Sequence, residues 1–319
     1  MKIVVLDGFT LNPGDLTWSG FSSLGETVVY DRTSHSELIE RATGAEVLLT
    51  NKTIIDADSL RQLKGLKYIG VLATGYNVVD IDAARELGIV VTNIPAYSTE
   101  SVAQMVFAHI LNITQRVGHY SDEASEYKWS RLNDFSYANT PLIELYGKKI
   151  GIIGFGNTGN ATARIAQAFG LKVLAYTSKD ASSLPSGIEK AVSFEQIFRE
   201  CDIVSLHCPL NPDTKELINK ERLSLMKKTA ILINTGRGGL VNESDLAEAL
   251  IEGKIFAAGI DVMVNEPPLE DNPLLGIPNC FITPHIAWAT YEARVRLMEL
   301  AIQNLKSYIE GKTINNVAK

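Results

Sequence analysis

The chain contains 319 residues, of which 45% are hydrophobic and 21% charged, so it can bury two cores of the usual domain size of roughly 150 residues. Its net charge of −7 at pH 7, without any dense block of Lys and Arg, argues against a nucleic-acid partner. No apolar run reaches the roughly 18 residues that span a bilayer, and Met1 leads directly into a strand pattern. We therefore expect no membrane contact, no signal peptide and a cytoplasmic location.

Short runs rich in Val and Ile alternate with helical patterns along almost the whole chain. This alternation is typical of parallel sheets covered by helices, so the predicted fold class is α/β. In the first hundred residues the predicted strands are Ile3–Leu6, Thr27–Tyr30, Val47–Thr50, Tyr68–Leu72 and Ile89–Thr92.

A long helical pattern follows, beginning near Ser98 or Thr99 and long enough to bridge two domains. The next stretch, Tyr120–Tyr146, places aromatic residues among polar ones and has no regular period. Two interpretations stay open for it: an extended loop, or an arm that packs on another subunit.

A second alternation begins at Lys149 and predicts six strands with intervening helices, which matches a dinucleotide-binding domain. The strands are Ile150–Ile153, Lys172–Tyr176, Asp202–His207, Ala230–Asn234, Ala257–Val262 and Cys280–Thr283. A final amphipathic helix, Tyr291–Ile309, has the length to pack back on the first domain.

The three cysteines are odd in number, lack CxxC spacing and lie in or beside apolar runs: Cys201, Cys208 and Cys280. Neither a disulfide nor a zinc site fits such a pattern. We expect buried thiols and no bound metal.

The glycine-rich segment Gly154-Phe155-Gly156-Asn157-Thr158-Gly159 directly follows the first strand of the second alternation and begins a helix. In a dinucleotide-binding turn the first glycine permits the tight bend, the second lets pyrophosphate approach the backbone, and the third lets helix and strand pack closely. The helix N-terminus then supplies N–H groups to the phosphates. This context predicts a nicotinamide dinucleotide cofactor.

The end of the next strand reads Ala175-Tyr176-Thr177-Ser178-Lys179, without the acidic residue that binds the ribose hydroxyls of NAD. Thr177 and Ser178 can donate hydrogen bonds, and Lys179 can pair with a 2′-phosphate. The segment therefore favours NADP(H) over NAD(H). The alternative is that Lys179 is an ordinary solvated surface lysine.

Four polar side chains follow strands of the second alternation, at the sheet edge where ligands bind: Arg237, Asp261, Glu266 and His285. Reduction of a 2-keto acid needs a cation for the carboxylate, and guanidinium provides two parallel hydrogen bonds. It also needs a proton donor that titrates near neutrality, which favours histidine, with a carboxylate behind it to hold the ring.

Only two of the five histidines follow strands, His207 and His285, and periodicity does not choose between them. His109 lies inside an apolar helical run and is expected to pack in the core or between domains. His35 and His119 lie in polar segments and are expected to be solvated.

The chain resembles the D-isomer-specific 2-hydroxyacid dehydrogenase family along nearly its full length. The motifs that carry the resemblance are Gly154-Phe155-Gly156-Asn157-Thr158-Gly159, His207-Cys208-Pro209-Leu210 with Thr214, Asn234-Thr235-Gly236-Arg237-Gly238, Gly259-Ile260-Asp261-Val262 with Glu266-Pro267, and Thr283-Pro284-His285-Ile286-Ala287. Within the family, the segments around Tyr97-Ser98-Thr99 and His285-Ile286-Ala287-Trp288-Ala289-Thr290 look most like glycerate dehydrogenases that reduce hydroxypyruvate.

The resemblance implies that Arg237 binds the substrate and that Glu266 pairs with His285, which selects His285 over His207 as the proton-transfer group. Asp261 would contact the nicotinamide carboxamide. The other implied contacts are His207, Cys208, Pro209, Thr214, Thr235 and Gly236 on the cofactor, and the backbone of Ala73-Thr74-Gly75-Tyr76-Asn77 on the substrate carboxylate. Trp288 would either close the pocket over a small substrate or pack at the domain junction.

The resemblance also implies a discontinuous, flavodoxin-like substrate domain, residues 1–98 plus 287–319, with the dinucleotide-binding domain inserted as residues 99–286. Family members are usually homodimers joined through the cofactor domain, which would explain an arm after Tyr120. Other substrates remain open, namely glyoxylate, 3-phosphoglycerate and D-lactate. A different class also remains open: a non-catalytic nicotinamide-sensing protein that acts as a corepressor.

Overall fold

The computed structural model describes residues 1–319 and divides them into two compact units. Unit 1 consists of residues 1–98 and 289–319, and unit 2 consists of residues 99–288. None of the helices combines the length and the apolar character needed to cross a membrane.

Unit 1 is built on five parallel strands in the order β2-β1-β3-β4-β5. The strands are β1 Lys2–Val5, β2 Glu26–Val29, β3 Val47–Thr50, β4 Tyr68–Val71 and β5 Val90–Thr92. All five correspond to predicted strands, because each is a short run of apolar, mainly β-branched residues. The order is that of flavodoxin-like sheets, so the predicted α/β class and its flavodoxin-like half are confirmed.

The helices of unit 1 are short except for the one nearest the C-terminus. They are α1 Ser19–Ser22, α2 Leu38–Ala42, α3 Ala57–Gln62, α4 Ile81–Glu86 and α11 Tyr291–Ile309. The carboxylate of Asp56 caps α3 by accepting a hydrogen bond from the backbone N–H of Ser59 at 2.8 Å. Helix α11 packs on β4, where the rings of Tyr68 and Tyr308 lie 4.9 Å apart. The final helix therefore belongs to unit 1.

Unit 2 is built on seven parallel strands in the order β12-β11-β10-β9-β6-β7-β8. The strands are β6 Lys149–Ile153, β7 Lys172–Tyr176, β8 Ile188–Lys190, β9 Ile203–Leu206, β10 Ile231–Asn234, β11 Ala257–Ile260 and β12 Cys280–Ile282. Strand order reverses between β6 and β9, which makes the sheet doubly wound. Six strands were predicted, and β8 was missed because it is a three-residue edge strand with two exposed polar residues.

Helices cover both faces of this sheet and enclose two separate apolar cores. They are α5 Thr99–Gln115, α6 Val117–Ser125, α7 Asn157–Ala168, α8 Phe194–Glu200, α9 Lys220–Leu225 and α10 Glu243–Ile251. The core that includes α8, α9 and α10 is distinct from the one that includes α5 and α7. Burial on both faces explains why an inner strand such as β11 is apolar throughout.

The stretch 120–146 is more ordered than its sequence indicates, because α6 extends to Ser125. The carboxylate of Glu123 on this helix accepts hydrogen bonds at 2.8 Å from the hydroxyl of Tyr137 and from the side-chain amide of Asn139. Residues 137–139 thus bind the polar face of α6 through hydrogen bonds. A helix held by polar contacts needs no apolar stripe, so its sequence shows none. We call residues 117–146 the arm.

Candidate active site

The three glycines of the turn after β6 serve different steric needs. A Cβ atom on Gly154, whose φ is +95°, would lie 2.5 Å from the backbone nitrogen of Cys208, and one on Gly159 would lie 2.2 Å from the carbonyl oxygen of Gly154. At these two positions the neighbouring backbone is too close for any side chain, so only glycine fits. A Cβ on Gly156 would meet nothing within 4 Å, so this position faces open space. The turn therefore leaves its backbone accessible to a ligand at the second glycine.

Helix α7 begins at Asn157 with its N-terminus free of competing groups. Its N-cap is Gly156, no side chain caps the helix, and its first turn contains no acidic residue. Backbone N–H groups at such a terminus bind phosphate. In addition, the hydroxyl of Thr235, at the carboxyl end of β10, is buried without a hydrogen-bond partner. These features fit a nicotinamide dinucleotide.

The segment after β7 carries two lysines close to the glycine turn. The ammonium of Lys179 lies 5.7 Å from the ring centroid of Phe155, within cation–π distance. Lys190 on β8 donates a hydrogen bond from Nζ to the carbonyl oxygen of Lys179 at 2.6 Å. Thr177 accepts a hydrogen bond from the Lys179 backbone at 3.2 Å. The end of β7 therefore presents Lys179, followed in sequence by Asp180, where a carboxylate would suit NAD.

His207 follows β9 and is half-buried. Its Nε2 is 2.8 Å from the hydroxyl of Ser205, and its backbone N–H donates to the carbonyl oxygen of Ile153 at 2.7 Å. Burial lowers the pKa of His207 to about 4, so the ring is neutral near pH 7 and is a poor proton donor. Burial also raises the pKa of the Cys208 thiol to about 11, so this group stays protonated.

His285 and Glu266 form a hydrogen-bonded pair beyond the ends of β12 and β11. The distance from Nδ1 of His285 to Oε2 of Glu266 is 2.6 Å, and the two side chains are 29% and 32% exposed. The other carboxylate oxygen of Glu266 accepts from the backbone N–H of Met263 at 3.1 Å. Because Nδ1 is committed to the carboxylate, Nε2 is the atom of His285 that can exchange a proton with a substrate.

Asp261 organises the turn that carries His285, a role that sequence reasoning missed. Its buried carboxylate accepts from the hydroxyl of Thr283 at 2.6 Å and from the backbone N–H groups of Ile286 and Ala287 at 3.0 and 2.9 Å. Its carbonyl oxygen accepts from the backbone N–H of His285 at 2.8 Å. These bonds hold His285 at φ +53°, a left-handed conformation that costs on the order of 1 kcal/mol for a residue with a Cβ.

Arg237 lies beyond the end of β10 on a tightly packed backbone. The side-chain amide of Asn234 donates to the carbonyl oxygen of Arg237 at 2.9 Å. A Cβ on Gly238 would approach the Met263 backbone to 2.0 Å, so only glycine fits there. The exposed guanidinium of Arg237 bonds to the carbonyl oxygen of Gly236 at 2.8 Å. Since β10, β11 and β12 are neighbours, Arg237, Glu266 and His285 share one edge of the sheet.

The predicted substrate loop, residues 73–77, lies in unit 1 after β4. The hydroxyl of Thr74 donates to the carbonyl oxygen of Ile94 at 2.9 Å, and the side-chain amide of Asn93 donates to the carbonyl oxygen of Thr74 at 2.8 Å. Asn304, fully buried on α11, donates in turn to the carbonyl oxygen of Asn93 at 2.9 Å. Helix α11 thus supports this loop through a chain of amides.

Two further site predictions concern residues away from these clusters. Thr214 closes the loop after β9, because its hydroxyl donates to the carbonyl oxygen of Pro209 at 2.6 Å. Trp288 is half-buried and follows Ala287, whose carbonyl oxygen accepts a hydrogen bond from the hydroxyl of Ser101 at 2.6 Å.

Dehydrogenases that use a nicotinamide dinucleotide bind it at the carboxyl edge of a doubly wound sheet, and the fold and site of unit 2 define this class. Residues 107–287 match the family model described as the NAD binding domain of D-isomer specific 2-hydroxyacid dehydrogenases. The chain belongs to this family, as the sequence motifs predicted.

Relatives and solved structures extend the match to the whole chain. A hydroxypyruvate reductase from Blautia hydrogenotrophica is 48% identical over 322 residues, covering 100% of both chains. A glycerate dehydrogenase from Methylorubrum extorquens is 39% identical and covers 99% of this chain and 98% of its own. The structure of a D-lactate dehydrogenase from Aquifex aeolicus in complex with NAD and lactic acid superposes with a TM-score of 0.86 at 29% identity, covering 100% of this chain and 99% of that one. The protein is therefore an NAD(P)-dependent oxidoreductase that acts on a small hydroxy acid.

Proposed function

We propose that the protein is a hydroxypyruvate reductase that interconverts hydroxypyruvate and D-glycerate, with glyoxylate as a further substrate. The observation that carries the proposal is the 2.6 Å bond between His285 and Glu266, at the sheet edge where Arg237 also lies. The 48% identity to a hydroxypyruvate reductase over the whole chain supports the choice of substrate.

In the proposed mechanism the side chains of unit 2 bind the substrate and move one proton. The bound nicotinamide cofactor supplies the hydride. The guanidinium of Arg237 binds the substrate carboxylate through parallel hydrogen bonds. Protonated His285 donates the Nε2 proton to the carbonyl oxygen as the alcohol forms, and Glu266 stabilises the imidazolium before that transfer. Asp261 holds the turn that aims His285, and its proposed contact with the nicotinamide carboxamide would add to that role.

We propose that the cofactor is preferentially NADPH. Gly154, Phe155, Gly156, Asn157, Thr158 and Gly159 would hold the pyrophosphate, and His207, Cys208, Pro209, Thr214, Thr235 and Gly236 would line the remaining cofactor site. Lys179 lies beside Phe155 of this turn and is bonded to a second lysine, Lys190, so the local charge suits a 2′-phosphate.

The remaining assignments of the proposal concern unit 1, Trp288 and assembly. The backbone of Ala73, Thr74, Gly75 and Tyr76 would bind the substrate carboxylate, and Trp288 would cover the small side chain of the substrate. We further propose a homodimer that functions in the cytoplasm. The exposed apolar side chains of the arm support the dimer, and three cysteines without disulfides are typical of a reducing compartment.

The test is oxidation of reduced cofactor, followed by absorbance, with hydroxypyruvate, glyoxylate, pyruvate and 3-phosphohydroxypyruvate. We expect hydroxypyruvate to give the highest kcat/KM. His285→Ala should lower kcat by about two to four powers of ten, as expected for the loss of acid–base catalysis, while cofactor affinity stays unchanged. Tight cofactor binding without turnover of any 2-keto acid would instead identify a nicotinamide sensor.

A further inference from the structure

A chain of buried polar side chains lies directly behind the turn that carries His285. Nε2 of His109, on α5, is 3.1 Å from the hydroxyl of Thr283, and this hydroxyl is 2.6 Å from a carboxylate oxygen of Asp261. His109 is 4% exposed and Asp261 is 1% exposed. This series of hydrogen bonds ends at Ile286 and Ala287, the two residues after His285. Their backbone N–H groups donate to the carboxylate of Asp261.

The position of each proton in this chain follows from hydrogen-bond chemistry. The hydroxyl of Thr283 donates its single proton to Asp261, so toward His109 it can only accept. Nε2 of His109 therefore carries a proton and is the donor. Burial lowers the pKa of His109, which keeps the ring neutral with its one N–H committed to Thr283.

His109 is buried because α5 packs closely on β11. A Cβ atom on Gly259 would lie 2.7 Å from the Cβ of His109, so a larger residue on β11 would push the helix away. Gly259 lies on β11, two residues before Asp261, which directly follows the strand. The strand thus provides both the space for the histidine and the carboxylate at the end of its chain.

We propose that His109 is a positioning residue for proton transfer, which acts by fixing the hydroxyl of Thr283 and through it the carboxylate of Asp261. The left-handed conformation of His285 is unfavourable by itself, so the turn relaxes unless surrounding bonds hold it. Loss of the donor at residue 109 leaves Thr283 free to rotate and loosens the turn. This inference rests on the proposed role of His285.

The test compares His109→Leu, which removes the donor, with His109→Gln, whose amide N–H replaces it. His109→Leu should lower kcat by about 10- to 100-fold, as displacement of a catalytic group by about 1 Å does, with KM for hydroxypyruvate and Kd for NADPH unchanged. His109→Gln should restore most of kcat. Thr283→Val and Thr283→Ser form a matched pair that should show the same contrast.

A second measurement follows the His285 ring itself, in full-length protein with ¹⁵N-labelled histidine. The Nδ1–H proton of His285, held by Glu266, should give a sharp NMR signal in wild type and in His109→Gln, and a broadened one in His109→Leu. If wild type reduces no 2-keto acid, the proposed function fails, while the NMR signal still tests positioning. If His109→Leu keeps both kcat and the signal, or if Leu and Gln lower kcat and Tm equally, positioning by His109 is wrong.

Discussion

His207 and His285 both follow strands of the same sheet, but their surroundings give them different chemistry. His207 is half-buried beside the hydroxyl of Ser205 and its pKa is lowered to about 4, whereas His285 is bonded to the carboxylate of Glu266. Their residue type and their place after strands are shared, so the sequence pattern did not separate them. The two histidines differ in the desolvation that lowers the pKa of His207 and in the carboxylate bonded to Nδ1 of His285. Both features depend on tertiary structure.

We expect His207 to make stability depend on pH between its folded pKa of about 4 and the unfolded value of about 6.5. In this window the unfolded chain binds a proton that the folded chain does not, so the free energy of unfolding falls as the pH falls. Above pH 6.5 the contribution is fully present. Calorimetric Tm values at pH 7.5 and 5 should therefore differ less in His207→Asn than in wild type.

The matched control for this measurement is His35→Asn, because His35 is exposed in unit 1. Carboxylates also titrate near pH 5, and all except Asp56, which pairs with His35, contribute equally to the three proteins. An unchanged pH dependence in His207→Asn would contradict the lowered pKa of His207.

At the scale of elements, strand prediction succeeded where a strand contains several consecutive apolar residues and failed where it contains only one. The four residues of β10 are all apolar or buried, and their run is visible in the sequence, as is the glycine turn after β6. Strand β8 has two exposed residues of three and depends on pairing with β7. Helix α6 was missed because its polar face bonds to residues 137–140 of the arm. Such partners are remote in sequence, so local pattern does not reveal them.

The end of β7 is the element that sets cofactor preference in our proposal. Thr177→Asp places a carboxylate that can accept from a ribose hydroxyl and that repels a 2′-phosphate. We expect the ratio of kcat/KM for NADPH over NADH to fall by about 10- to 100-fold, the range for loss of a hydrogen bond to a charged group combined with repulsion. Steady-state kinetics with both cofactors measures this ratio.

Lys179→Ala should weaken NADPH alone, because only NADPH carries the 2′-phosphate. Lys172→Ala is the matched control, since Lys172 is an exposed lysine at the opposite end of the same strand. Equal effects of Lys179→Ala on NADPH and NADH would show that Lys179 is a solvated surface lysine.

At the scale of the whole molecule, the arm leaves several large apolar side chains exposed. The side chain of Phe135 in the arm is 91% exposed, although Glu123 forms hydrogen bonds within the arm. Other exposed apolar residues of the arm are Val117, Tyr127, Trp129, Leu132, Leu142 and Tyr146. Exposed apolar side chains concentrated in one segment are typical of protein interfaces.

We expect the purified protein to be a dimer and Phe135→Asp to shift it toward monomer, because a charge would be buried at the interface. Light scattering coupled to size exclusion gives the mass directly. Val192→Asp is the control, since Val192 is 87% exposed but lies outside the arm, and it should leave the dimer intact. A wild-type protein that stays monomeric at high concentration would contradict the proposed assembly.

The discontinuity of unit 1 has a consequence for how the protein is made. Residues 289–319, which include α11, are synthesised after all of unit 2. Domains fold as units while the chain grows, so unit 2 can fold on the ribosome as soon as residue 288 has emerged. The five-stranded sheet of unit 1, although translated first, waits with the face that α11 covers still exposed. We therefore expect the half of the protein that begins translation to finish folding last, and to depend more on protection by chaperones.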